Sequence, residues 1–338
     1  MFNPKNTYSI KFIVLLFITV LLFVFDVLIG SELFSIPDIF TSVFSNETSS
    51  IKTIITEFRI PRAVTALLVG SALSISGLLM QTVFKNPLAG PYVLGISSGA
   101  SLGVALVILT SGYFGFLNSN GGVLVIASWI GSGLVLSLIL AASTKVKDIM
   151  TLLVLGILFG SGISAIVSIL QFFSDNAQLK SFVIWTLGSL ENVTNTKLPF
   201  FAVSIIIGLL LSVISIKSLN GLVLGEVYAK SMGINIKKSR VLIFVATGIL
   251  TGTATAYCGP IGFIGIIIPH IVRIIFKTSN HIVLIPATIM AGASILLFSD
   301  ILSQLPGMAI KLPINSVTAL FGIPIIIWLI LSNKRIGI

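Results

Sequence analysis

Charged residues are scarce in this sequence. Asp, Glu, Lys and Arg together make up 9% of the 338 residues, whereas 56% of the residues are hydrophobic and the mean hydropathy is +1.14. A water-soluble domain of this composition would expose very large apolar patches. The composition therefore excludes a soluble globular protein and predicts an integral membrane protein.

Residue types that often carry chemistry are also few. The single cysteine, Cys258, cannot form a disulfide within the chain, and its apolar neighbours predict a buried thiol. The two histidines, His270 and His281, are distant in the sequence and do not suggest a catalytic pair. The sequence also has no Cys/His cluster that would hold a metal. It also lacks the Gly-x-x-x-x-Gly-Lys-Ser/Thr phosphate loop. We therefore expect no metal, cofactor or catalytic site, and any ATP hydrolysis must occur on another polypeptide.

Ten apolar stretches dominate what is present. Each is close to the roughly 20 residues that a helix needs to cross a bilayer. Strands of a membrane barrel would be about half as long and would alternate apolar with polar residues. The stretches lie near residues 12–29, 63–83, 92–109, 122–142, 150–172, 198–216, 241–257, 261–276, 282–302 and 313–331. Asp26 and Glu32 occupy the place where a signal peptide would be cut, so we expect the first helix to be retained. The pattern predicts one all-α polytopic membrane domain over residues 1–338.

The distribution of Lys and Arg predicts the orientation of these helices. With the N-terminus inside, fourteen of the twenty basic residues fall in inner segments or at inner helix ends. Cytoplasmic loops carry such an excess, so both termini are predicted to be cytoplasmic. The same asymmetry accounts for the net charge of +10. No soluble basic domain is present that would bind nucleic acid.

Ionisable residues are nearly absent from the interiors of the apolar stretches. Asp26 and Asp300 lie near predicted outer ends, and His270 and Arg273 lie near an inner end. Transporters driven by ion gradients usually carry such groups within their helices. The pattern favours an energy source outside the bilayer. A gradient-driven secondary transporter remains the main alternative, because backbone carbonyls can hold sodium, and a structural or assembly membrane protein is the second.

Residues 217–240 form the longest predicted inter-helix segment on the cytoplasmic side. They read KSLNGLVLGEVYAKSMGINIKKSR. Glu226 and Lys230 are spaced as a favourable helical ion pair, and Gly233 permits a tight turn. A soluble partner could act on the protein through this segment.

Four segments of the chain carry short motifs built on Gly, Pro or Arg. They are RIPRAV from Arg59, GLLMQTVFKNPLAGPYVLGISSGA from Gly77, GPIGFIGIIIPHIVR from Gly259 and LPINSVTALFGIP from Leu312. Together they resemble segments of the FecCD-type permeases of ATP-binding-cassette (ABC) importers for iron-siderophores, haem and cobalamin. The resemblance runs from about Arg59 to Trp328. It implies a type II ABC importer permease fold in the cytoplasmic (inner) membrane, two copies of the permease or a pair with a paralogue, separate ATPase subunits and a substrate-binding protein.

The resemblance also assigns roles to particular residues. Arg59 and Arg62 would be membrane-interface anchors if judged alone, but the matching arginines of the family receive acidic residues of the binding protein. Bidentate pairing with carboxylates suits arginine to that role. Gln304 stands where the family often has another arginine, and Lys311 could substitute for it.

The segment 217–240 would form the two short helices that dock into a groove of the ATPase. The residues expected at its centre are Glu226, Ala229, Lys230, Ser231, Met232 and Gly233. Gly95, Ser98 and Gly99 are candidates for lining the translocation pathway, although helix packing explains each of these small residues equally well. His270, next to Pro269, is expected to be structural.

Overall fold

The computed structural model describes residues 4–30, 49–111, 121–146, 148–304 and 311–331, and within these ranges the regular structure is helical. The α-helices are α1 (Pro4–Leu28), α2 (Ser50–Phe84), α3 (Ile96–Leu109), α4 (Gly121–Lys145), α5 (Ile149–Phe172), α6 (Asn176–Thr186), α7 (Leu198–Ile214), α8 (Ile216–Leu224), α9 (Glu226–Ser231), α10 (Ile236–Cys258), α11 (Ile264–Phe276), α12 (His281–Ser303) and α13 (Ile314–Leu331). A π-helical stretch, Ile54–Arg59, interrupts α2, and a 3₁₀ helix, Pro91–Leu94, precedes α3.

Each of the ten predicted apolar stretches coincides with helix. By length and composition α1, α2, α4, α5, α10 and α12 can each cross a membrane, and α7 with α8 forms a further span that is bent by 49°. The remaining three, α3, α11 and α13, are shorter apolar helices. The all-α membrane fold predicted from hydropathy is therefore confirmed.

Helix α2 lies at the centre of the described bundle. It packs against α12, α11, α10 and α7, and most of its apolar window is buried inside the protein. By contrast, α1 and α5 expose most of their apolar surface. Those exposed faces are suited to lipid or to a second membrane subunit.

Glycine allows the central backbones to touch. A Cβ atom at Gly77 would lie 1.7 Å from the carbonyl oxygen of Gly265 on α11, and one at Gly70 would lie 2.2 Å from that of Gly292 on α12. No side chain fits at such distances. These two glycines therefore allow α2 to approach α11 and α12 at backbone distance.

Two helical segments were not predicted from the sequence. The first turns of α2 extend the second crossing back to Ser50. Helix α6 is short and largely exposed, begins with a capping box formed by Asp175 and Gln178, and buries Phe182 in a small cluster with α3. Because α6 is short and mixes polar with apolar residues, the sequence shows no apolar stretch of bilayer length there.

The residues that the charge pattern assigns to the outer side meet at one end of the bundle. Asp26, Arg62 and Asp300 lie in one polar cluster with Glu191. Residues assigned to inner helix ends, Arg273 and Asn220 among them, contact other residues predicted to be inside. The packing agrees with the orientation predicted from the charges.

Candidate functional site

At the outer end of the bundle, Arg62 of α2 is held by two carboxylates. Its Nε donates to Asp300 Oδ2 over 2.8 Å, and its Nη2 donates to Asp300 Oδ1 over 2.6 Å. The Asp300 side chain is fully buried, and Arg62 Nη2 also donates to Ser303 Oγ over 3.0 Å. The remaining nitrogen, Nη1, donates to Glu191. This bidentate geometry joins α2 to α12.

Glu191 is the more accessible of the two carboxylates. It lies in the segment between α6 and α7, is about half exposed, and accepts from both Arg62 and Lys311. Partial burial alone would raise the pKa of Glu191, but the hydrogen bond from Lys311 and the charge of Arg62 hold that pKa below its ordinary value. Glu191 is therefore an anion shared by two cations.

Gln304 lies inside the same cluster. Its amide donates to Asp300 Oδ2 over 3.1 Å and, more weakly, to Asp26 Oδ1 of α1 over 3.4 Å, and the side chain is buried. An amide in this position supplies a donor between two carboxylates without adding charge. The structure thus places the Gln304 amide in the same cluster as Arg62, at the edge of the outer cavity, and its role in docking stays a prediction.

Arg59 contacts a different element. It lies at the end of the π-helical stretch, and its Nη1 donates to the carbonyls of Leu28 over 2.8 Å and Val27 over 3.2 Å. Those carbonyls are at the C-terminal end of α1, where the last carbonyl groups have no N–H donor within the helix. The partial negative charge of the helix C-terminus also favours a nearby cation. A cavity of about 550 Å³ is bounded by Arg59, Arg62, Glu191 and Lys311 among others. Both arginines border this cavity, and their role in docking stays a prediction.

At the inner end, α8 and α9 form a compact helical pair. The chain bends after α7, turns at Gly225 with φ +112° into α9, and turns again at Gly233 with φ +76° before α10. Ala229 is fully buried against α8, near Gly221. Val227, Tyr228 and Met232 are exposed, with Val227 84% accessible. The pair presents an apolar surface of its own.

The expected partner of Glu226 differs in the structure. Its carboxylate accepts from Arg240 Nη2 of α10 over 2.5 Å, rather than being paired by Lys230 one turn later. Ser239 and Ser218 add a contact of 2.8 Å between α10 and α8. The helical pair is thereby fixed to the cytoplasmic end of α10.

The three pathway candidates occupy two kinds of position. Ser98 borders a cavity of about 540 Å³ between α3, α5, α6 and α13. Gly95 has φ +71° and packs near the backbone of α5 at Gly156, and a Cβ atom at Gly99 would lie 2.4 Å from the carbonyl oxygen of Gly131 on α4. Both glycines lie at helix contacts in this chain, and their role as lining residues stays untested.

The cavity beside Ser98 has a mixed lining of apolar side chains and uncharged polar groups. The polar members include Ser97, Ser98, Ser101, Ser164, Ser168, Gln171, Thr186 and Asn315. Ser97 and Ser101 of α3 are spaced four apart, as are Ser164 and Ser168 of α5, so each pair lies on one helix face. That serine spacing was the signal in the sequence for the residues of α5, which were not predicted as lining residues. Phe182 and Thr186 of α6 do not form a pair of small polar residues of this kind.

Comparisons with known proteins agree along most of the chain. The model of the FecCD transport family matches residues 18–332. The vitamin B12 import system permease protein BtuC of Klebsiella pneumoniae is 38% identical over 282 residues, 83% of each chain.

The chain belongs to the FecCD transport family.

Further matches extend this assignment to the fold of the permease. BtuC of Escherichia coli O9:H4 is 37% identical over 280 residues, which are 82% of this chain and 84% of that protein. A solved structure described as an inward-facing conformation of a metal-chelate type ABC transporter has a TM-score of 0.84 at 30% identity. It covers 98% of this chain and all of the other. The FecCD chain is a multi-pass permease of the cytoplasmic membrane.

Cys258 behaves in this permease as its sequence context predicts. The thiol is free and buried at the end of α10. Among the described residues, no group of three or more His, Cys, Asp or Glu side chains is arranged to hold a metal ion.

Proposed function

We propose that this permease forms the membrane pathway of an ATP-driven importer for a large metal-centred molecule: an iron-siderophore, haem or a corrinoid. The observation that carries the proposal is the α8–α9 pair, which presents Val227, Tyr228 and Met232 on the predicted cytoplasmic side. An exposed apolar helical surface on a rigid support is suited to a groove on a soluble subunit. Hydrolysis takes place on that separate ATPase subunit.

The relatives support this substrate range. Two of them are permeases of vitamin B12 import systems, and the similar solved structure is described as a metal-chelate type transporter. The cavity beside Ser98 fits such a substrate because it offers hydroxyl and amide groups without a charged residue. Weak hydrogen bonds of this kind let a bulky molecule pass without being held.

The outer cluster provides a docking position for a binding protein. An acidic residue of that protein would reach Arg62 by replacing Glu191, the more exposed of the two carboxylates that Arg62 contacts. Lys311, which contacts the same carboxylate, lies beside that position, and Gln304 supports it from inside. Arg59 borders the same cavity. A second copy of the permease, or a paralogue, completes the pathway.

The experiment is reconstitution in lipid vesicles with the ATPase and the binding protein. Cyanocobalamin, haem and ferric siderophores are offered as substrates, with and without ATP and with ionophores that collapse ion gradients. We expect uptake that requires ATP and survives the ionophores. Uptake abolished by the ionophores would instead establish the gradient-driven alternative, and no uptake of any substrate would favour a structural role.

Charge reversal tests the docking surface. Arg59→Glu and Arg62→Glu should abolish binding of the substrate-binding protein. Because Arg62 also pairs with the buried Asp300, docking is scored only on protein that still copurifies with the ATPase and has therefore folded. Docking that persists unchanged would refute the assignment.

Thiol labelling tests the pathway. Ser98→Cys should react with a hydrophilic maleimide, and the background is low because Cys258 is buried. Ser74→Cys is the control, since Ser74 is fully buried in α2. Equal labelling at the two positions would remove the support for a pathway at Ser98.

A further inference from the structure

His281 connects the inner helical pair to the core of the membrane domain. It is the first residue of α12 and is almost completely buried. Its Nδ1 lies 2.8 Å from Asn220 Oδ1 of α8, and its Nε2 lies 3.0 Å from Thr82 Oγ1 of α2. One imidazole thus contacts two other helices from opposite edges of its ring.

The surrounding hydrogen bonds define the direction of each contact. Asn220 Oδ1 also accepts from the backbone N–H of His281 over 2.9 Å, and Asn220 Nδ2 donates to Asn280 Oδ1 over 3.1 Å. The oxygen of Asn220 therefore faces His281, and Nδ1 must carry the proton. In the neutral ring Nε2 is then an acceptor. The single proton of the Thr82 hydroxyl is shared between Nε2 at 3.0 Å and the carbonyl oxygen of Leu78 at 2.8 Å.

The contacts of His281 with Asn220 and Thr82 join α8 to α12 and α2. Asn220 is a half-buried residue of α8, while Thr82 lies near the inner end of α2, the central helix of the bundle. A displacement of α8 is passed to α2 and to α12 through one planar ring, because the ring has no internal torsion between its two nitrogens.

We propose that His281 is the positioning residue that couples movement of the α8–α9 pair to α2 and α12. This inference rests on the proposed function, in which an ATPase subunit moves α8–α9. Asn220 and Thr82 are the two ends of the connection. Cutting either end separates ATP hydrolysis from rearrangement of the membrane helices.

The test uses the permease–ATPase complex carrying Ser98→Cys, with a hydrophilic maleimide as the probe. The readout is the change in labelling rate when ATP is added, measured beside the rate of ATP hydrolysis. Thr82→Val removes the hydroxyl and keeps the shape of the side chain. Thr288→Val is the matched control, since Thr288 is equally buried on α12 and its hydroxyl has no hydrogen-bond partner in the described part of the chain.

We expect Thr82→Val and His281→Gln to reduce the ATP-dependent change in labelling by at least about threefold, with hydrolysis retained. Thr288→Val should leave the change intact. Asn220→Ala and Thr82→Val should be non-additive, because a connection cut at one end loses little more when the other end is cut. An ATP-dependent change in Thr82→Val equal to that in Thr288→Val, or additive effects, would overturn the proposal.

A separate variant, Val227→Asp, tests whether α8–α9 is the docking surface for the ATPase. Val227→Asp places a charge on the exposed surface of α9 and should release the ATPase subunit. If the ATPase stays bound to Val227→Asp, the assignment of α8–α9 as its docking surface is wrong, and the coupling role of His281 falls with it. If the subunit is released but Thr82→Val matches its control, only the role of His281 is wrong.

Discussion

Arg62 of α2 and Asp300 of α12 form a buried bidentate ion pair at the outer end of the bundle. Two of the arginine nitrogens contact the carboxylate at 2.6 to 2.8 Å, and the Asp300 side chain is inaccessible to solvent. The pair lies next to the position where a binding protein is proposed to dock. Arg62 therefore makes two kinds of ion pair: a buried one with Asp300 and a solvent-accessible one with Glu191.

Removing one member of this pair should destabilise the permease. In Arg62→Met, Asp300 loses its paired cation, and an uncompensated buried charge typically costs about 3–5 kcal/mol. The midpoint of thermal unfolding in detergent should fall strongly. Arg62→Met combined with Asp300→Leu should recover part of the loss, because the Asp300 charge is then no longer buried without its cation. A single variant as stable as the wild type would contradict the structural role of the pair.

Glu191 should make stability depend on pH at the acidic end. Its pKa in the folded protein lies below the ordinary value of 4.5. The carboxylate therefore stabilises the fold above that ordinary value, and the contribution is lost as the pH falls through the lower folded pKa. Unfolding midpoints of the wild type and Glu191→Gln should differ near neutrality and converge on acidification.

The control for this pH series is Glu57→Gln. Glu57 is exposed and accepts from the neutral amide of Asn195 over 2.8 Å. Its replacement should preserve the acid sensitivity of the wild type. A gap between wild type and Glu191→Gln that stays constant down to the lowest pH would show that the ion pairs of Glu191 add no stability.

Gly77 should not tolerate any side chain. A Cβ atom there would meet the backbone of Gly265, which cannot move aside as a flexible side chain would. We expect Gly77→Ala to lose most of the monodisperse protein in size-exclusion chromatography. Gly133→Ala on α4 is the matched control, because a Cβ atom at Gly133 has no neighbour within 4 Å. Normal yields of both variants would rule out the close contact between α2 and α11.

The pair between Glu226 and Arg240 should orient α9, the helix proposed to face the ATPase. Glu226 is partly exposed, so the pair contributes at most about 1 kcal/mol, equivalent to roughly a fivefold change in affinity for the ATPase. Arg240→Ala should lower copurification of the ATPase by up to that factor, and the exchange of Glu226→Arg with Arg240→Glu should restore part of it. Lys237→Ala, which removes an exposed cation of the same helix, should have no effect. Equal losses in Arg240→Ala and Lys237→Ala would point to general charge rather than to the pair.

Much of the fold was predictable because bilayer length is a local property of the sequence. Ten apolar stretches were found where the structure has helix. Helix α6 was missed because an exposed helix of its length leaves no hydropathy signal. The interruption of α2 by a π-helical stretch was missed for a related reason, since a change of helical hydrogen-bond pattern does not alter composition.

The candidate sites were predictable only in part. The family resemblance selected Arg62 and Glu226, but their partners Asp300 and Arg240 come from helices that sequence spacing does not relate to them. Glu226 illustrates the difference, because the local rule favours Lys230 four residues later and the structure pairs Glu226 with Arg240 fourteen residues later. Ser98 was named with Gly95 and Gly99, and the structure places Ser98 at the cavity between α3, α5, α6 and α13 and the two glycines at helix contacts.

The sequence by itself determined that this is an all-helical membrane permease, which side its basic loops face and which segment is available to a cytoplasmic partner. These properties follow from hydropathy, charge and short motifs, which act over one helix or one loop. Only the tertiary structure decided that Arg62 meets Asp300, that Gly77 meets Gly265 and that His281 joins Asn220 to Thr82. Such contacts depend on how each helix is rotated and shifted against its neighbours, and close packing of backbones and side chains sets those positions.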